Sequence, residues 1–303
     1  MFSHEIIKKR ILITGANGLL GQRLISFYKS IKDVELLGCS IEEAPYYNDA
    51  SYLQLDITSR DSVKKVVYDF YPDIIINTAG FTNVDLCEIQ RETAWKVNVK
   101  GVEYLAEACR AIDSKLIQIS TDYIFNGVNG PYDETAKPDP LGYYGRTKLA
   151  SENTLKLSAI TYSVIRTNVL YGLAKSRPDF VRWVIDELSA NKKIYVVTDQ
   201  IGNPTFIEDL VQAINKIISF EKYSIYNIGG KDFINRFEFA NLIAEIFNLN
   251  KELIFPITTD QLKQTAKRPL NSGLITIKAE TELGYKPHST ADALTLIKKQ
   301  LKL

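Results

Sequence analysis

Short apolar runs alternate with longer segments of helical periodicity over the first 120 residues. The runs are four to six residues long and rich in aliphatic side chains, which is typical of buried strands. The strands predicted in this way are residues 10–13, 34–39, 52–55, 73–77 and 115–120. Helices are predicted from residue 19 and over residues 59–70 and 93–111. This alternation predicts an α/β fold, a Rossmann-like doubly wound parallel sheet with right-handed crossovers.

The pattern changes after residue 160. A further strand is predicted at residues 162–167, and amphipathic helices with turn-rich loops follow, which favours an α+β arrangement. We therefore expect a Rossmann domain over residues 1–160, to which residues 161–175 and 200–230 return. The remainder of residues 176–303 is expected to form an interwoven, smaller substrate-binding lobe.

Small or polar residues lie at the carboxyl ends of the predicted strands at four places, Gly15, Asp56, Thr78 and Ser120. Ligands of doubly wound sheets bind beyond the carboxyl ends of the strands, at the point where the strand order reverses. The small residues of the segment Thr78-Ala79-Gly80 would also let a ligand lie close to the backbone. These placements predict one binding site along this edge.

The segment TGANGLLG joins the first strand to the first helix and has glycines at positions 15, 18 and 21. Glycine permits a tight turn and close approach to a pyrophosphate, and the helix N-terminus offers free N–H groups. The alternative is an ordinary turn between strand and helix. With the alternation that follows, the spacing favours a dinucleotide site.

Three places near the predicted site bear on the cofactor or its surroundings. The second strand ends at Cys39 and Ser40 with no carboxylate, so a 2′-phosphate is not repelled there. This favours NADPH, and NADH stays possible because no basic residue follows closely. Asp56 either accepts a hydrogen bond from adenine or caps the helix near Ser59. Asn98, which lies between two valines, is expected to hydrogen-bond a buried group.

Tyr144 and Lys148 are four residues apart, on one face of a predicted helix. Tyr-x-x-x-Lys occurs often by chance as a surface pair. Here it comes one loop after a strand that ends in Ser120 and Thr121, in a chain that opens with the glycine turn. The combination indicates a site for proton transfer beside a dinucleotide.

Composition narrows the function classes. The chain has 303 residues, 45% hydrophobic content and a net charge of +1, so bulk charge gives no reason to expect nucleic acid or anionic lipid. We expect no membrane span and no signal peptide. The three cysteines have no CxxC spacing and predict reduced thiols in the cytoplasm. The two histidines, His4 and His288, are far apart, which argues against a histidine metal site and against a Ser-His-Asp triad.

Motifs along nearly the whole chain resemble the extended short-chain dehydrogenase/reductases, and among them the dTDP-4-dehydrorhamnose reductase family. The matching segments are ITGANGLLG, INTAGFTNVDLCE, STDYIFNG, PYDET, YYGRTKLASE, RTNVLYG, DQIGNPTFIEDL and RPLNSGL. The glycine turn and Tyr-x-x-x-Lys are shared by the whole superfamily, so DQIGNPTFIEDL and RPLNSGL narrow the choice most.

The resemblance implies hydride transfer from a nicotinamide to the C4 keto group of a nucleotide-linked 4-keto-6-deoxy sugar. Tyr144 would donate the proton, and Lys148 would lower the pKa of its phenol and hold the nicotinamide ribose. Thr121 would hydrogen-bond the substrate oxygen, and Asp122 would lie beside the sugar. Arg268 would bind the substrate diphosphate. At Asn168 the family often has a tryptophan, so this departure puts the identity of the sugar in doubt.

The predicted contacts follow from the residues and the resemblance together. The predicted cofactor contacts are Gly15, Asn17, Gly18, Leu19, Leu20, Cys39, Ser40, Asp56, Ile57, Thr78, Ala79, Gly80, Asn98, Ser120, Tyr144 and Lys148. The predicted substrate contacts are Thr121, Asp122, Tyr123, Phe125, Asn168 and Arg268.

Related activities differ in their acidic residues. Dehydratases of this fold carry an Asp-Glu pair after the threonine, whereas Asp122 is followed by Tyr123 here, which favours simple reduction. An epimerase, and a non-catalytic NADP-binding subunit resembling the β subunit of methionine adenosyltransferase, remain alternatives. The resemblance also implies a possible homodimer, sometimes with a divalent ion at the contact. Whether Mg²⁺ is used stays open, because no ligand set can be assigned.

Overall fold

A computed structural model describes residues 8–48, 50–175 and 178–302. Most of the N-terminal leader, with His4, lies outside them. The described strands are β1 (Lys9–Thr14), β2 (Val34–Ser40), β3 (Ser51–Gln54), β4 (Ile74–Asn77), β5 (Lys115–Thr121), β6 (Tyr162–Thr167), β7 (Ile194–Val197), β8 (Ile201–Gly202), β9 (Ile225–Asn227), β10 (Ile234–Asn235) and β11 (Ile254–Ile257).

Helices follow most of these strands. The described α-helices are α1 (Leu19–Tyr28), α2 (Arg60–Phe70), α3 (Val84–Ile89), α4 (Arg91–Trp95), α5 (Gly101–Ile112), α6 (Tyr143–Lys156), α7 (Phe180–Ser189), α8 (Ile207–Phe220), α9 (Arg236–Ile246), α10 (Thr259–Leu262), α11 (Ile277–Leu283) and α12 (Thr290–Leu301). A π-helical turn (Lys96–Lys100) joins α4 to α5, and short 3₁₀ turns lie at Asp122–Ile124 and Lys251–Leu253. No helix in the described ranges is long and apolar enough to cross a membrane.

Seven strands form one sheet in the order β3-β2-β1-β4-β5-β6-β9. Every neighbouring pair in it is parallel, so the predicted doubly wound α/β fold is confirmed. The order reverses between β1 and β4, where Thr14 is in register with Asn77. The switch point therefore lies at the carboxyl end of β1, where the glycine turn begins.

Side chains of the central strand alternate between the two faces of the sheet. Ile11 and Ile13 are fully buried in the cluster that includes side chains of α1 and α8. Leu12 is fully buried in the opposite cluster, which includes side chains of α2 and α5. Apolar side chains on both faces explain why the central strands are continuous hydrophobic runs.

Two strands from the second half of the chain belong to the large sheet. β6 pairs with β5, and β9 closes the edge beside β6. The other late strands form two small sheets, β8 with β10 antiparallel and β7 with β11 parallel. The division into a dinucleotide domain and a substrate lobe stays a prediction.

The helix predicted over residues 93–111 is interrupted. It consists of α4, the π-helical turn and α5, and Asn98 lies in the π-helical turn. Single π turns within α-helices often occur at functional sites. The sequence prediction gave one continuous helix here, and the π-helical turn is seen only in the structure.

Candidate active site

The glycine turn packs directly against the segment that follows β4. Gly15 has a φ of +70°, and a Cβ there would lie 2.5 Å from the backbone nitrogen of Ala79. The hydroxyl of Thr78 donates hydrogen bonds to the carbonyls of Thr14 (2.7 Å) and Gly15 (3.1 Å). Only glycine fits this close backbone approach without strain. Gly80 lies at the end of the same segment.

The turn leads into the N-terminus of α1. Gly18 is the N-cap residue, no side chain caps it, and the first turn has no acidic residue. The backbone N–H groups of Leu19 and Leu20, at the start of this helix, can therefore bind an anion. Leu20 itself is buried, so only its backbone could take part. The turn fits the pyrophosphate of a dinucleotide.

Asn17 fastens the loop that follows β2. Its side chain donates to the carboxylate of Glu42 (3.1 Å) and the carbonyl of Ala44 (2.9 Å), and accepts from the backbone N–H of Tyr46 (2.9 Å). The side chain predicted to contact the cofactor is therefore engaged with this loop. Its role in the structure is to place Glu42.

The end of β2 differs from the prediction. Cys39 is fully buried, burial raises its thiol pKa to about 12, and its carbonyl accepts the N–H of Ala16. The hydroxyl of Ser40 donates to the carboxylate of Glu42 at 2.5 Å. The sequence argument placed no carboxylate here, and the structure corrects it. Glu42 was missed because it lies two residues beyond the strand and folds back.

The remaining predicted cofactor residues lie along the same edge. Asp56 is exposed and accepts the N–H of Thr58 (2.8 Å), whereas Ser59 is the N-cap residue of α2, so Asp56 does not cap this helix. Ile57 is buried. Asn98 accepts the N–H of Phe81 (2.8 Å) and donates to the Phe81 carbonyl (3.1 Å) and to the hydroxyl of Thr147 on α6 (3.0 Å). The expectation that Asn98 hydrogen-bonds a buried partner is confirmed.

Tyr144, Thr121 and Tyr123 are brought together across the cleft. The ring of Tyr144, at the start of α6, lies edge-on to the ring of Tyr123, with centroids 6.0 Å apart. The Thr121 side chain, at the end of β5, lies near enough to the phenol of Tyr144 to lower its pKa. A hydroxyl and a phenol from segments more than 20 residues apart thus meet at one point.

The pKa of Tyr144 moves in the direction opposite to the one expected. Burial raises it above its usual range, the contact with Thr121 lowers it, and the charge of Asp122 raises it further. Burial outweighs any assistance from Lys148 in the chain without cofactor. A raised pKa keeps the phenol protonated at neutral pH, and efficient proton transfer to the substrate would require a neighbouring positive charge to lower it.

Lys148 lies one turn further along α6 and is buried. Burial lowers the pKa of its ammonium from 10.5 to about 8, and the charge of Glu152 partly opposes this. Glu152 accepts a 2.5 Å hydrogen bond from Ser120 and forms an ion pair with Arg166. The hydroxyl of Ser120, predicted to touch the cofactor, is therefore committed to Glu152.

Asp122 opens a second part of the cleft. Its carboxylate accepts hydrogen bonds from Ser272 (2.5 Å) and Thr121 (2.9 Å). Burial raises its pKa to about 6, and these hydrogen bonds and the charge of Arg236 limit the rise. The residues lining this cavity are Asp122, Tyr123, Val169, Gln200, Ile201, Gly202, Pro204, Ile234, Asn235, Arg236, Pro269 and Ser272.

Arg236 is the cationic residue of this lining, and sequence reasoning missed it. Its guanidinium lies 5.3 Å above the ring of Phe180. A signal was available, because Arg236 begins a helix directly after Asn235, whose side chain with Glu238 forms a capping box. That pattern locates the helix start, but it does not reveal which cavity the start faces.

Two of the predicted substrate residues are buried and held by neighbouring side chains. Phe125 has no exposed surface, because its ring stacks on Tyr132 at 4.3 Å. Asn168 is 3% exposed, and its side-chain amide hydrogen-bonds that of Asn203. Their side chains hold the loops that frame the cleft, and direct contact with a sugar would need these contacts to break.

Arg268 is also engaged elsewhere. Its guanidinium donates to both carboxylate oxygens of Asp85 on α3, at 2.9 and 2.6 Å, and to the carbonyl of Ala266 at 2.7 Å. Its side chain is only 8% exposed. This bidentate pair ties the segment 266–268 to the first half of the chain and leaves Arg268 little capacity for a diphosphate.

The family model described as RmlD substrate binding domain matches residues 9–302. The chain belongs to this family. The chain is similar to dTDP-4-dehydrorhamnose reductase of Aggregatibacter actinomycetemcomitans, with 35% identity over 95% of this chain and 98% of that protein.

A solved relative of this RmlD family member carries a cofactor. It is the crystal structure of dTDP-4-dehydrorhamnose reductase from Bacillus anthracis in complex with NADP, with a TM-score of 0.88, 32% identity, and 97% and 99% of the two chains covered. A relative with a different name is methionine adenosyltransferase 2 subunit beta of Rattus norvegicus, 31% identical over 91% of this chain and 83% of that protein.

Proposed function

We propose that the chain is an NAD(P)H-dependent reductase of the C4 keto group of a nucleotide-linked 4-keto-6-deoxy sugar. The first candidate substrate is dTDP-4-dehydrorhamnose, which would give dTDP-rhamnose for cell-surface polysaccharide. The observation that carries the proposal is the closeness of Thr121 to Tyr144, with Lys148 one turn further along α6, in a chain whose glycine turn opens α1. Relatives named dTDP-4-dehydrorhamnose reductase support it.

The reductant is NADPH or NADH, held by the glycine turn, the N-terminus of α1 and Lys148. When bound, the nicotinamide supplies the hydride. Tyr144 donates its phenolic proton to the substrate oxygen as negative charge develops there, and its raised pKa keeps that proton available until then. Thr121, whose hydroxyl otherwise donates to Asp122, would turn that hydroxyl to the same oxygen and orient it toward the phenol. Lys148 binds the nicotinamide ribose hydroxyls through its ammonium.

The substrate would occupy the cavity lined by Asp122, Tyr123 and Arg236. Asp122 is positioned by Ser272 to accept hydrogen bonds from sugar hydroxyls. Arg236 is the cation that we assign to the diphosphate, in place of Arg268, which is paired with Asp85. A guanidinium matches two phosphate oxygens at once, so a single arginine can both neutralise and orient the group.

A non-catalytic, nucleotide-binding subunit is the second candidate. The 31% identity to methionine adenosyltransferase 2 subunit beta favours it. A protein that only binds would not require the set of Thr121, Tyr144 and Lys148. An epimerase of the same superfamily would use Tyr144 and Lys148 too, but it would retain its cofactor tightly and consume no reduced nicotinamide.

The decisive experiment follows the loss of NADH or NADPH absorbance when the chain is mixed with a candidate substrate. The substrates are dTDP-4-dehydrorhamnose and a series of other 4-keto sugar nucleotides. Stoichiometric oxidation and a dTDP-6-deoxyhexose product would support the reductase. Tight nucleotide binding without oxidation of any substrate would favour the binding subunit. An altered sugar with no net oxidation would favour the epimerase. We further propose that the chain forms a homodimer, which gel filtration with light scattering would test. We also propose a cytoplasmic location, which fractionation of the cells would test.

A further inference from the structure

The loop after β2 holds the carboxylate of Glu42 in a fixed position through hydrogen bonds. Glu42 Oε2 accepts hydrogen bonds from the Ser40 hydroxyl at 2.5 Å and from Asn17 Nδ2 at 3.1 Å. The hydroxyl of Tyr52, on β3, donates to the backbone carbonyl of Glu42. The carboxylate is thereby fixed between the end of β2 and the glycine turn, although it belongs to a loop.

Asn17 makes this arrangement depend on the turn itself. Besides Glu42, it binds the Ala44 carbonyl and the Tyr46 N–H, so the whole loop is anchored to the residue between Gly15 and Gly18. Hydrogen bonds to the Glu42 carboxylate also favour its ionised form. Burial alone would raise the pKa of Glu42, but hydrogen bonds from Ser40, its own backbone and Asn17 outweigh burial and lower the pKa.

In dinucleotide folds an acidic residue about 20 residues after the glycine turn binds the adenosine ribose hydroxyls, whereas an arginine accommodates a 2′-phosphate. Glu42 lies 21 residues after Gly21, beside the turn. The segment from residue 34 to residue 54, which includes β2, the loop and β3, contains no lysine or arginine. A 2′-phosphate would therefore meet a fixed negative charge and no cation from this segment.

We propose that Glu42 makes the chain selective for NADH over NADPH, by accepting hydrogen bonds from the 2′-hydroxyl of the ribose and repelling a 2′-phosphate. This rests on the cofactor site of the proposed function and reverses the preference suggested by Cys39 and Ser40 alone. We expect NADH to bind at least about tenfold more tightly than NADPH, since a like-charge contact of a few ångströms near a protein surface is worth that much or more.

The test is calorimetric or fluorescence titration of the full chain with NADH and NADPH, without any sugar. Glu42→Gln keeps the shape and removes the charge, so it should narrow the ratio mainly by tightening NADPH. Glu42→Arg should invert it. Glu43→Gln is the matched control, because Glu43 is exposed on the same loop and should leave the ratio unchanged. Raising the salt concentration should narrow the wild-type ratio but not that of Glu42→Gln.

Several outcomes would overturn the inference. Equal or tighter binding of NADPH by the unaltered chain would do so, and would point to Lys175, whose backbone is hydrogen-bonded to Gln22 of α1. An unchanged ratio in Glu42→Gln would also overturn it. Failure to bind either nucleotide would overturn this inference and the proposed function together. NADH-selective binding without reduction of any sugar would support the inference and count against the function.

Discussion

Glu152 on α6 and Arg166 on β6 form a buried ion pair. Arg166 Nη2 and Glu152 Oε2 are 2.8 Å apart, the Nε of Arg166 donates to Oε1 at 3.2 Å, and both side chains are only 5% exposed. Glu152 lies one turn after Lys148 on α6, so the pair joins β6 to the helix that carries the proposed proton donor. The negative charge of Glu152 also partly opposes the lowering of the Lys148 pKa by burial.

Replacing Glu152 by glutamine should destabilise the fold by about 3–5 kcal/mol, because the buried guanidinium of Arg166 would lose its counter-charge. Urea unfolding followed by circular dichroism measures this. Asp186→Asn, which breaks the exposed pair with Arg182, is the matched control and should change stability by less than about 1 kcal/mol. Similar small losses in both variants would contradict the assignment of a structural role to the buried pair.

The rate should fall as the pH rises through the pKa of Lys148. Its ammonium has a pKa of about 8 in the folded chain, so kcat/KM should drop above that pH. Lys148→Arg stays charged, so it should lose this limb while its maximal rate is lower. An alkaline limb that persists unchanged in Lys148→Arg would assign it to another group.

The same shift has a consequence for stability. The folded pKa of Lys148 is lowered to about 8 from the usual value of 10.5. Between these values the unfolded chain binds more protons than the folded chain, so the contribution of Lys148 to stability increases with pH across this window.

Glu152→Gln should move the alkaline limb of the rate to lower pH, because it removes a charge that raises the pKa of Lys148.

Tyr144→Phe should lower kcat by about 10²- to 10⁴-fold, because the proton donor is removed. Affinity for the reduced cofactor should change little, since the glycine turn and Lys148 are untouched. Tyr143→Phe is the control: its ring lies 5.2 Å from the guanidinium of Arg91, away from Thr121. Activity of Tyr144→Phe within tenfold of the unaltered protein would show that another group donates the proton.

Arg236→Gln should raise the KM for the sugar nucleotide about 10- to 100-fold with a smaller effect on kcat, because a charge-assisted contact to phosphate is worth about 1.5–3 kcal/mol. Arg236→Lys should recover part of the loss. Arg182→Gln, an exposed substitution on α7, should leave KM unchanged. If KM stays constant in Arg236→Gln, the diphosphate binds elsewhere in the cleft.

The sequence by itself determined the parts of this protein that depend on neighbours in the chain. The alternation of apolar runs and helical segments predicted the doubly wound sheet, and the spacing of Gly15, Gly18 and Gly21 predicted the turn. Tyr144 and Lys148 could be placed on one helix face because the helical period fixes residues four apart. Such relationships involve a few residues and are settled by backbone geometry.

The tertiary structure alone decided which distant side chains meet. Arg268 pairs with Asp85, more than 180 residues away, and Phe125 is buried against Tyr132, two contacts that no local pattern predicts. Glu42 folds back onto Ser40, and the pKa of Tyr144 is raised because desolvation disfavours its charged form. Desolvation and charge pairing depend on three-dimensional surroundings, to which remote segments contribute, and therefore no local pattern encodes them.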